Sequence, residues 1–195
     1  GLDLEITEGE MNQINKYKHD IDKVTGKSTP SVTQYGLVHL DGTQATTYAR
    51  IRKLAGDDFK RASRQRIVLQ AIMEKAKKAD FATLTNICNS VIDDISTSLS
   101  ITQILALAKN VGSYSIKSTT GFPFELTTKN LSGSGDTVIP ADLATNVKEL
   151  HKYMFDDDTY VLSSTVQTIS GAIVYKTGIN VDSALINTSD YNETA

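Results

Sequence analysis

The sequence contains no tryptophan, one cysteine and three histidines. A single cysteine excludes an intrachain disulfide, and the scattered histidines show no ligand spacing for structural zinc. No apolar stretch approaches the roughly 18 residues of a membrane-spanning helix, and no signal peptide is recognisable. The apolar residues around Cys88 predict a buried core thiol. These absences argue against a disulfide, a zinc site and a membrane-spanning helix, so the informative feature of the sequence is its distribution of charge.

Positive charge is concentrated in one part of an acidic chain. The net charge is −3 and the pI is about 5.6. Residues 36–78 hold ten Lys and Arg against four Asp and Glu, a local charge of +6, so the remainder of the chain carries −9. Five of these arginines lie within residues 48–66. Because arginine presents a planar fork of donors that stays charged near neutral pH, the cluster favours binding of a polyanion.

The spacing of these residues predicts how they are presented. Arg50 and Arg52 alternate as in extended backbone, which would point both guanidinium groups to one side. A helix follows to about residue 78, and Asp57 or Asp58 can cap it. On that helix the spacing i, i+3, i+7 places Asp58, Arg61 and Gln65 on one face. A phosphate bound there would meet several donors at once.

Two alternatives remain open from spacing alone. Arginines and lysines on a helix commonly form a solvated face, and Asp58 with Arg61 can be a simple i,i+3 ion pair. Alternatively, Arg64, beside the stripe, adds a further fork to an anion site. An acid next to bound phosphates often holds magnesium, so Asp58 is the candidate metal ligand.

Residues 36–78 closely resemble the signature of the LytR-CpsA-Psr family, extracytoplasmic bacterial enzymes that attach anionic glycopolymers to peptidoglycan. The matching elements are His39-Leu40-Asp41-Gly42, Gln44-Ala45, Tyr48-Ala49-Arg50-Ile51-Arg52, Asp58-Phe59, Arg61 and Arg64-Gln65. The first six residues resemble a strand near the middle of the family's catalytic domain. The chain therefore resembles the C-terminal part of that domain, without the upstream membrane anchor and the earlier half that supplies further Asp and Arg residues.

The resemblance implies a glycopolymer transferase of the phosphotransferase type. Its donor would be a polyprenyl-pyrophosphate-linked anionic glycan of teichoic acid or capsule type, and its acceptor peptidoglycan, at the extracytoplasmic face of the cell membrane. The residues expected to be catalytic are Arg50, Arg52, Asp58 and Arg61. Those expected to contact substrate are Arg50, Arg52, Arg61, Arg64 and Gln65. Magnesium is the expected cofactor, with Asp58 as its ligand here.

The family implies an α/β fold, a helix-rich α-β-α sandwich around a central mixed β-sheet, and the alternation of strand and helix patterns is compatible with it. The patterns predict one domain over residues 1–178 and a polar, flexible tail over residues 179–195. Helices are predicted from Thr7 with Glu10 to about Lys18, from Asp41 with Gln44 to about Tyr48, from Ser100 with Gln103 to Asn110 and from Pro140 to about Met154. A loop containing Gly26 is predicted over residues 20–34, and a strand from Ser113 to Ser118.

The apolar residues after Arg66 could line a channel for a lipid tail, but plain core is favoured for each of them: Ile67, Leu69, Ile72, Leu84, Ile87 and Val91. His39 is expected to be a hydrogen-bonded structural histidine rather than a catalytic base.

Two other functions compete with the transferase. The chain can be a fragment that binds wall polymer or lipid phosphate without turnover. It can also be a nucleic-acid-binding or regulatory protein, for which the basic helix is the only support. The acidic pI and the absence of helix-turn-helix spacing count against nucleic acid, because the backbone electrostatics that drive such binding would be confined to one small patch.

Overall fold

A computed structural model describes residues 1–52 and 57–191, and these form two compact units. The first comprises residues 1–118, and the second begins at Thr119. Together the described residues contain seven α-helices and five strands, which confirms the helix-rich mixture of helix and sheet that the sequence predicts. The sequence places a boundary at residue 178, whereas the described chain divides at residue 118.

The first unit combines a two-stranded sheet with five helices. Its elements, in chain order, are β1 (Leu2–Ile6), α1 (Glu8–Thr25), β2 (Gly36–Leu40), α2 (Gly42–Ala49), α3 (Asp57–Lys77), α4 (Phe81–Val91) and α5 (Ile101–Lys109). Short 3-10 helices follow α4 and α5, at Ile92–Asp94 and Val111–Ser113. Residues 53–56 lie outside the described part, and the two predicted caps of α3, Asp57 and Asp58, both lie within the helix.

The sheet of this unit is antiparallel. Leu4 pairs with Val38 and Leu2 with Leu40, and the inward side chains of both strands are buried. Alternate residues point away, as a period of two requires. The core of the unit packs around these strands, and its buried members are Leu4, Ile6, Ile14, Val32, Val38, Leu40, Ala45, Tyr48 and Ile51.

Helix α1 runs seven residues further than the sequence predicts. Its start is confirmed: the Thr7 hydroxyl accepts from the Glu10 amide, and the Glu10 carboxylate accepts from the Thr7 amide. The prediction of a loop from residue 20 is wrong up to Thr25, because the helix ends only where Gly26 adopts a left-handed conformation that suits glycine. Asn15 then fixes the following segment through two 2.8 Å hydrogen bonds with the Val32 backbone.

Helices α4 and α5 pack against each other but bury no side chain fully. The predicted capping box of α5 is confirmed, since Ser100 and Gln103 exchange hydrogen bonds. The strand predicted from Ser113 to Ser118 is wrong: a 3-10 turn occupies its start, and no described strand pairs with it. Without a neighbour to satisfy its backbone groups, an isolated strand has no stability.

The second unit is built on a three-stranded antiparallel sheet in the order β4-β3-β5. Its elements are β3 (Glu125–Leu131), β4 (Gly135–Pro140), α6 (Leu143–Phe155), α7 (Ser164–Thr177) and β5 (Ile186–Asn187), with 3-10 helices at Val181–Ser183 and Thr188–Tyr191. Part of the expected tail thus pairs with β3, through Leu126 and Ile186. Residues 192–195 of that tail lie outside the described part.

Asp142 and Asn146 organise the start of α6. The Asp142 carboxylate accepts from the backbone of Ala144 and Thr145 and from the buried Ser170 hydroxyl at 2.6 Å. Asn146 is almost fully buried, and its amide accepts from the Phe124 and Glu125 backbone while donating to the Glu125 carbonyl. A helix start at Pro140, which the sequence suggests, is therefore wrong, because Pro140 ends β4.

All described strand pairs are antiparallel, and they divide between two sheets. The central mixed sheet of the expected sandwich is not assembled within residues 1–52 and 57–191. Although α1 connects β1 to β2, the loop after it turns the chain back, so that the two strands pair antiparallel rather than as a parallel crossover unit.

Candidate functional site

The segment Arg50–Arg52 follows α2 and presents two arginines around one buried residue. The Asp41 carboxylate caps α2 by accepting from the Gln44 backbone amide at 2.8 Å, and the Gln44 side-chain oxygen accepts from the Asp41 backbone amide. The Ile51 amide donates to the Tyr48 carbonyl at 3.2 Å, and the Ile51 side chain is buried. Both arginines are exposed.

The backbone at Arg50 is helical, with φ −102° and ψ −3°, so the extended conformation expected there is wrong. Both arginines are nevertheless exposed, and the intervening Ile51 side chain packs in the core. Burial of one hydrophobic residue thus sets the outward direction of its two neighbours.

Asp58 joins two of the predicted arginines. Its Oδ2 accepts from Arg52 Nη2 at 2.9 Å, and its Oδ1 lies 3.0 Å from Arg61 Nη2. The side chains are 59% exposed for Arg52, 51% for Asp58 and 34% for Arg61. Exposed ion pairs contribute little to stability. The consequence is geometric, since one carboxylate holds two guanidinium groups from different segments close together.

Arg64 differs from the other arginines because its side chain is only 5% exposed. Its Nε donates to Glu10 Oε1 at 2.7 Å, and its Nη1 lies 3.4 Å from the Ile51 carbonyl oxygen. This side chain therefore ties α3 to α1 and to the Arg50–Arg52 segment. It is not presented to a ligand in the way that the sequence pattern suggests.

Gln65 is exposed on α3, one position after the buried Arg64. Its spacing from Arg61 places both on one side of the helix. Arg50 and Arg52 border an open cleft of about 190 Å³. The other residues that line this cleft are Tyr17, Asp20, Ile21, Thr47 and Ile51. The predicted residues are thus divided: Arg50, Arg52, Asp58, Arg61 and Gln65 lie at the surface, and Arg64 lies beneath it.

A magnesium ion finds no complete set of ligands among the described residues. No group of three or more His, Cys, Asp or Glu side chains is arranged to hold a metal in residues 1–52 and 57–191. Both oxygens of Asp58 already contact guanidinium groups. Since magnesium takes one or two carboxylates with several waters, Asp58 would supply one protein ligand, shared with its two arginines.

Sequence reasoning missed the partner of Arg64. The pattern of Thr7 and Glu10 predicts the helix start, and the structure confirms the capping box. Nothing local shows that the second oxygen of Glu10 accepts from an arginine 54 residues away. The only available signal was that an acid stood in a helix with buried neighbours such as Ile14.

Two predictions about apolar residues are wrong. Cys88 is half-buried rather than a core thiol. Leu69, Ile72, Ile87 and Val91, each favoured as plain core, are exposed. The reason is that α4 and the outer face of α3 pack on too little of the described chain to enclose their apolar stripes. His39 behaves as expected of a hydrogen-bonded structural histidine, with Nδ1 2.7 Å from Asp3 Oδ1.

Comparison with known proteins identifies the family of the chain. The LytR_cpsA_psr family model matches residues 6–152, about three quarters of the chain. The chain belongs to the LytR_cpsA_psr family. A similar protein is the polyisoprenyl-teichoic acid–peptidoglycan teichoic acid transferase TagV of Bacillus subtilis (strain 168), 26% identical over 141 residues. That match covers 68% of this chain and 34% of the relative. No solved structure matches the chain.

The family match includes every predicted site residue and also Glu10. The chain spans about a third of the length of the relative that it matches. Among the helices of the described residues, none is both long and apolar enough to cross a lipid bilayer.

Proposed function

We propose that this LytR_cpsA_psr chain is part of a transferase that moves an anionic glycopolymer from a polyprenyl-pyrophosphate carrier to peptidoglycan. The observation that carries the proposal is the Arg52-Asp58-Arg61 network beside exposed Arg50. Three guanidinium groups supply bidentate donors suited to phosphate oxygens, and TagV, a relative named as a teichoic acid transferase, supports this substrate class.

In the proposed reaction, a hydroxyl oxygen of peptidoglycan forms a bond to the sugar-linked phosphorus of the donor. The bond from that phosphorus to the bridging oxygen breaks, polyprenyl monophosphate leaves, and the hydroxyl proton passes to solvent. Catalysis of such a transfer depends on positioning and on neutralising charge on the phosphate oxygens. Arg50, Arg52 and Arg61 provide the charge, and Gln65 adds an amide donor.

Asp58 orients arginines in this proposal. By accepting from Arg52 on one oxygen and contacting Arg61 with the other, it limits the rotamers of both side chains before the donor arrives. Pre-ordering of this kind reduces the conformational entropy that binding must overcome. Magnesium, which the family resemblance implies, stays a prediction.

The carrier lipid requires apolar surface, and the exposed residues of α3 and α4 offer it. Leu69 and Ile72 on α3 and Ile87 and Val91 on α4 are candidates. A polyprenyl chain covering them would remove apolar area from water at about 25 cal/mol per Å². The proposed location of the full protein is therefore the extracytoplasmic face of the cell membrane, where such carriers lie.

The test is calorimetric titration with geranyl pyrophosphate and with inorganic pyrophosphate, each with and without magnesium. We expect Arg52→Ala to lose most of the affinity for both ligands. Lys148→Ala is the matched control, because it removes one exposed positive charge from α6 and should leave binding unchanged. If Arg52→Ala binds as tightly as the parent protein, the proposed site is wrong.

Asp58→Asn separates its two candidate roles. An orienting role predicts weaker pyrophosphate binding whether or not magnesium is present, since the variant loosens Arg52 and Arg61 in both conditions. A metal-ligand role predicts a loss confined to magnesium-containing buffer. Transfer of a labelled glycan to peptidoglycan fragments then distinguishes a transferase from a fragment that binds without turnover.

A further inference from the structure

A buried ion pair lies directly beneath the exposed arginines. Glu10 on α1 and Arg64 on α3 have side chains that are 8% and 5% exposed, and Glu10 Oε1 accepts from Arg64 Nε at 2.7 Å. A charge removed from water in this way is stable only when it is paired and hydrogen-bonded. The cost of leaving either charge unpaired therefore keeps the two side chains together.

Glu10 is itself fixed at both carboxylate oxygens. Oε2 accepts from the Thr7 amide at 2.9 Å and from the Thr7 hydroxyl at 3.1 Å, as part of the capping box of α1. Oε1 is left for Arg64. The N-terminus of α1 thus sets the position of the carboxylate, and the carboxylate sets the position of the guanidinium group.

A second guanidinium nitrogen of Arg64 contacts the backbone of the predicted anion site. Nη1 lies 3.4 Å from the carbonyl oxygen of Ile51, at the long end of the hydrogen-bond range. Ile51 stands between Arg50 and Arg52, and its side chain is held in the core. Two contacts therefore hold the Arg50–Arg52 segment: the Ile51 side chain packs in the core, and the Ile51 carbonyl oxygen contacts Arg64.

We infer that Glu10 is a positioning residue: acting through Arg64 and the Ile51 carbonyl, it fixes the backbone from which Arg50 and Arg52 present their guanidinium groups. This inference rests on the proposed pyrophosphate site. Glu10 touches no ligand in it. Its effect is transmitted through one buried guanidinium group, whose planar donors can serve a carboxylate and a carbonyl at once.

Glu10→Gln isolates the effect because an amide has one acceptor oxygen where the carboxylate has two. The variant side chain can accept from Thr7 or from Arg64 but not from both. Thr7→Ala is the matched control: it removes the capping hydroxyl, while Glu10 keeps the Thr7 amide and Arg64 as partners. Both changes alter the start of α1, and only the first removes the carboxylate charge that faces Arg64.

The first readout needs no ligand. In nitrogen-edited NMR spectra we expect Glu10→Gln to shift the Ile51 and Arg52 amide signals and the Arg52 Nε–H signal, and Thr7→Ala to leave them in place. Unmoved signals in a folded Glu10→Gln protein would overturn the inference, and so would equal shifts in both variants. This arm reports the coupling even if the proposed function is wrong.

The second readout is calorimetric binding of inorganic pyrophosphate. Misplaced binding groups typically cost roughly tenfold to a hundredfold, so we expect a loss of that size for Glu10→Gln and none for Thr7→Ala. A folded Glu10→Gln protein that binds like the parent contradicts the inference. A parent protein that binds no pyrophosphate contradicts the proposed function instead, and the spectra then decide the coupling alone.

Arg64→Lys provides a second variant if Glu10→Gln does not fold. The ammonium group keeps the charge next to Glu10 but lacks the fixed fork that also reaches Ile51. Weaker pyrophosphate binding by the folded variant is expected, and unchanged binding would refute the inference. If neither variant folds, the parent decides: its Arg64 Nε–H signal should shift on pyrophosphate binding, and an unmoved signal excludes the coupling.

Discussion

Replacing Arg64 by methionine should destabilise the first unit strongly. The variant leaves the buried Glu10 carboxylate hydrogen-bonded to Thr7 and no longer to Arg64. Breaking a buried pair by removing one partner costs about 3–5 kcal/mol. Because Thr7 still donates twice to Glu10, we expect a loss near the lower end, about 3 kcal/mol. That is a large fraction of the roughly 5–15 kcal/mol by which domains are stable.

The double variant Arg64→Met with Glu10→Gln should recover part of this loss. Its core contains no unpaired charge at these positions, and exchanging a buried ion pair for neutral groups is often close to neutral. The amide oxygen of the second substitution still accepts from Thr7, so the capping box survives. We expect the two substitutions to be non-additive by about 1–2 kcal/mol, within the range for contacting residues.

The assay is urea unfolding followed through amide signals of residues 1–52, which report the first unit separately from the second. Thr7→Ala serves as the reference for loss of a cap alone, at about 1 kcal/mol. The reasoning is refuted if Arg64→Met costs no more than the cap, or if the double variant loses the sum of the two single losses.

Two further predictions concern the second unit. Asn146→Ala should destabilise it by about 2 kcal/mol or more, because the backbone amides of Phe124 and Glu125 lose their buried partner and each unmet amide costs about 1–3 kcal/mol. The Glu125 carbonyl keeps the Ala141 amide as a donor. Urea unfolding monitored on β3 signals measures this, and a loss below about 1 kcal/mol would contradict it. Burial of Asp142 opposes its ionisation, but hydrogen bonds from Ser170 and Thr145 outweigh that effect and hold its pKa below the ordinary value of 3.8. The stabilisation that ionised Asp142 contributes is thus complete above pH 3.8 and declines as the pH falls through the lowered pKa. The difference in free energy of unfolding between the parent and Asp142→Asn should therefore shrink in that acid window. A constant difference down to pH 2 would show that ionisation of Asp142 plays no part.

Three helix starts with a capping pair were predictable because their signals are local. The capping pairs Thr7 with Glu10, Asp41 with Gln44, and Ser100 with Gln103 all formed as the sequence indicates. Each pair lies within one turn, so its hydrogen bonds depend on little beyond the chosen helix. The end of α1 differs from the prediction, because the pattern around Gly26 indicates a loop, whereas the left-handed conformation of this glycine closes the helix.

Burial was less predictable. The apolar spacing of α4 is that of a core helix, yet Ile87 and Val91 are exposed and Cys88 is only half-buried. Periodicity shows that a helix has an apolar side, but it does not show what packs on that side. Strand pairing has the same limit, since a segment such as residues 113–118 becomes a strand only when a neighbour offers its backbone groups.

The sequence by itself determined which chemistry is available: arginines and one acid at fixed spacing, with the charge to hold a phosphate. It did not distinguish Arg64 from Arg61, which have the same side chain on the same helix. Tertiary structure decided that difference, because the buried Glu10 lies against Arg64, whereas Arg61 contacts Asp58 at the surface. The contact joins residues 54 positions apart, and only the packing of α1 against the rest of the first unit creates it.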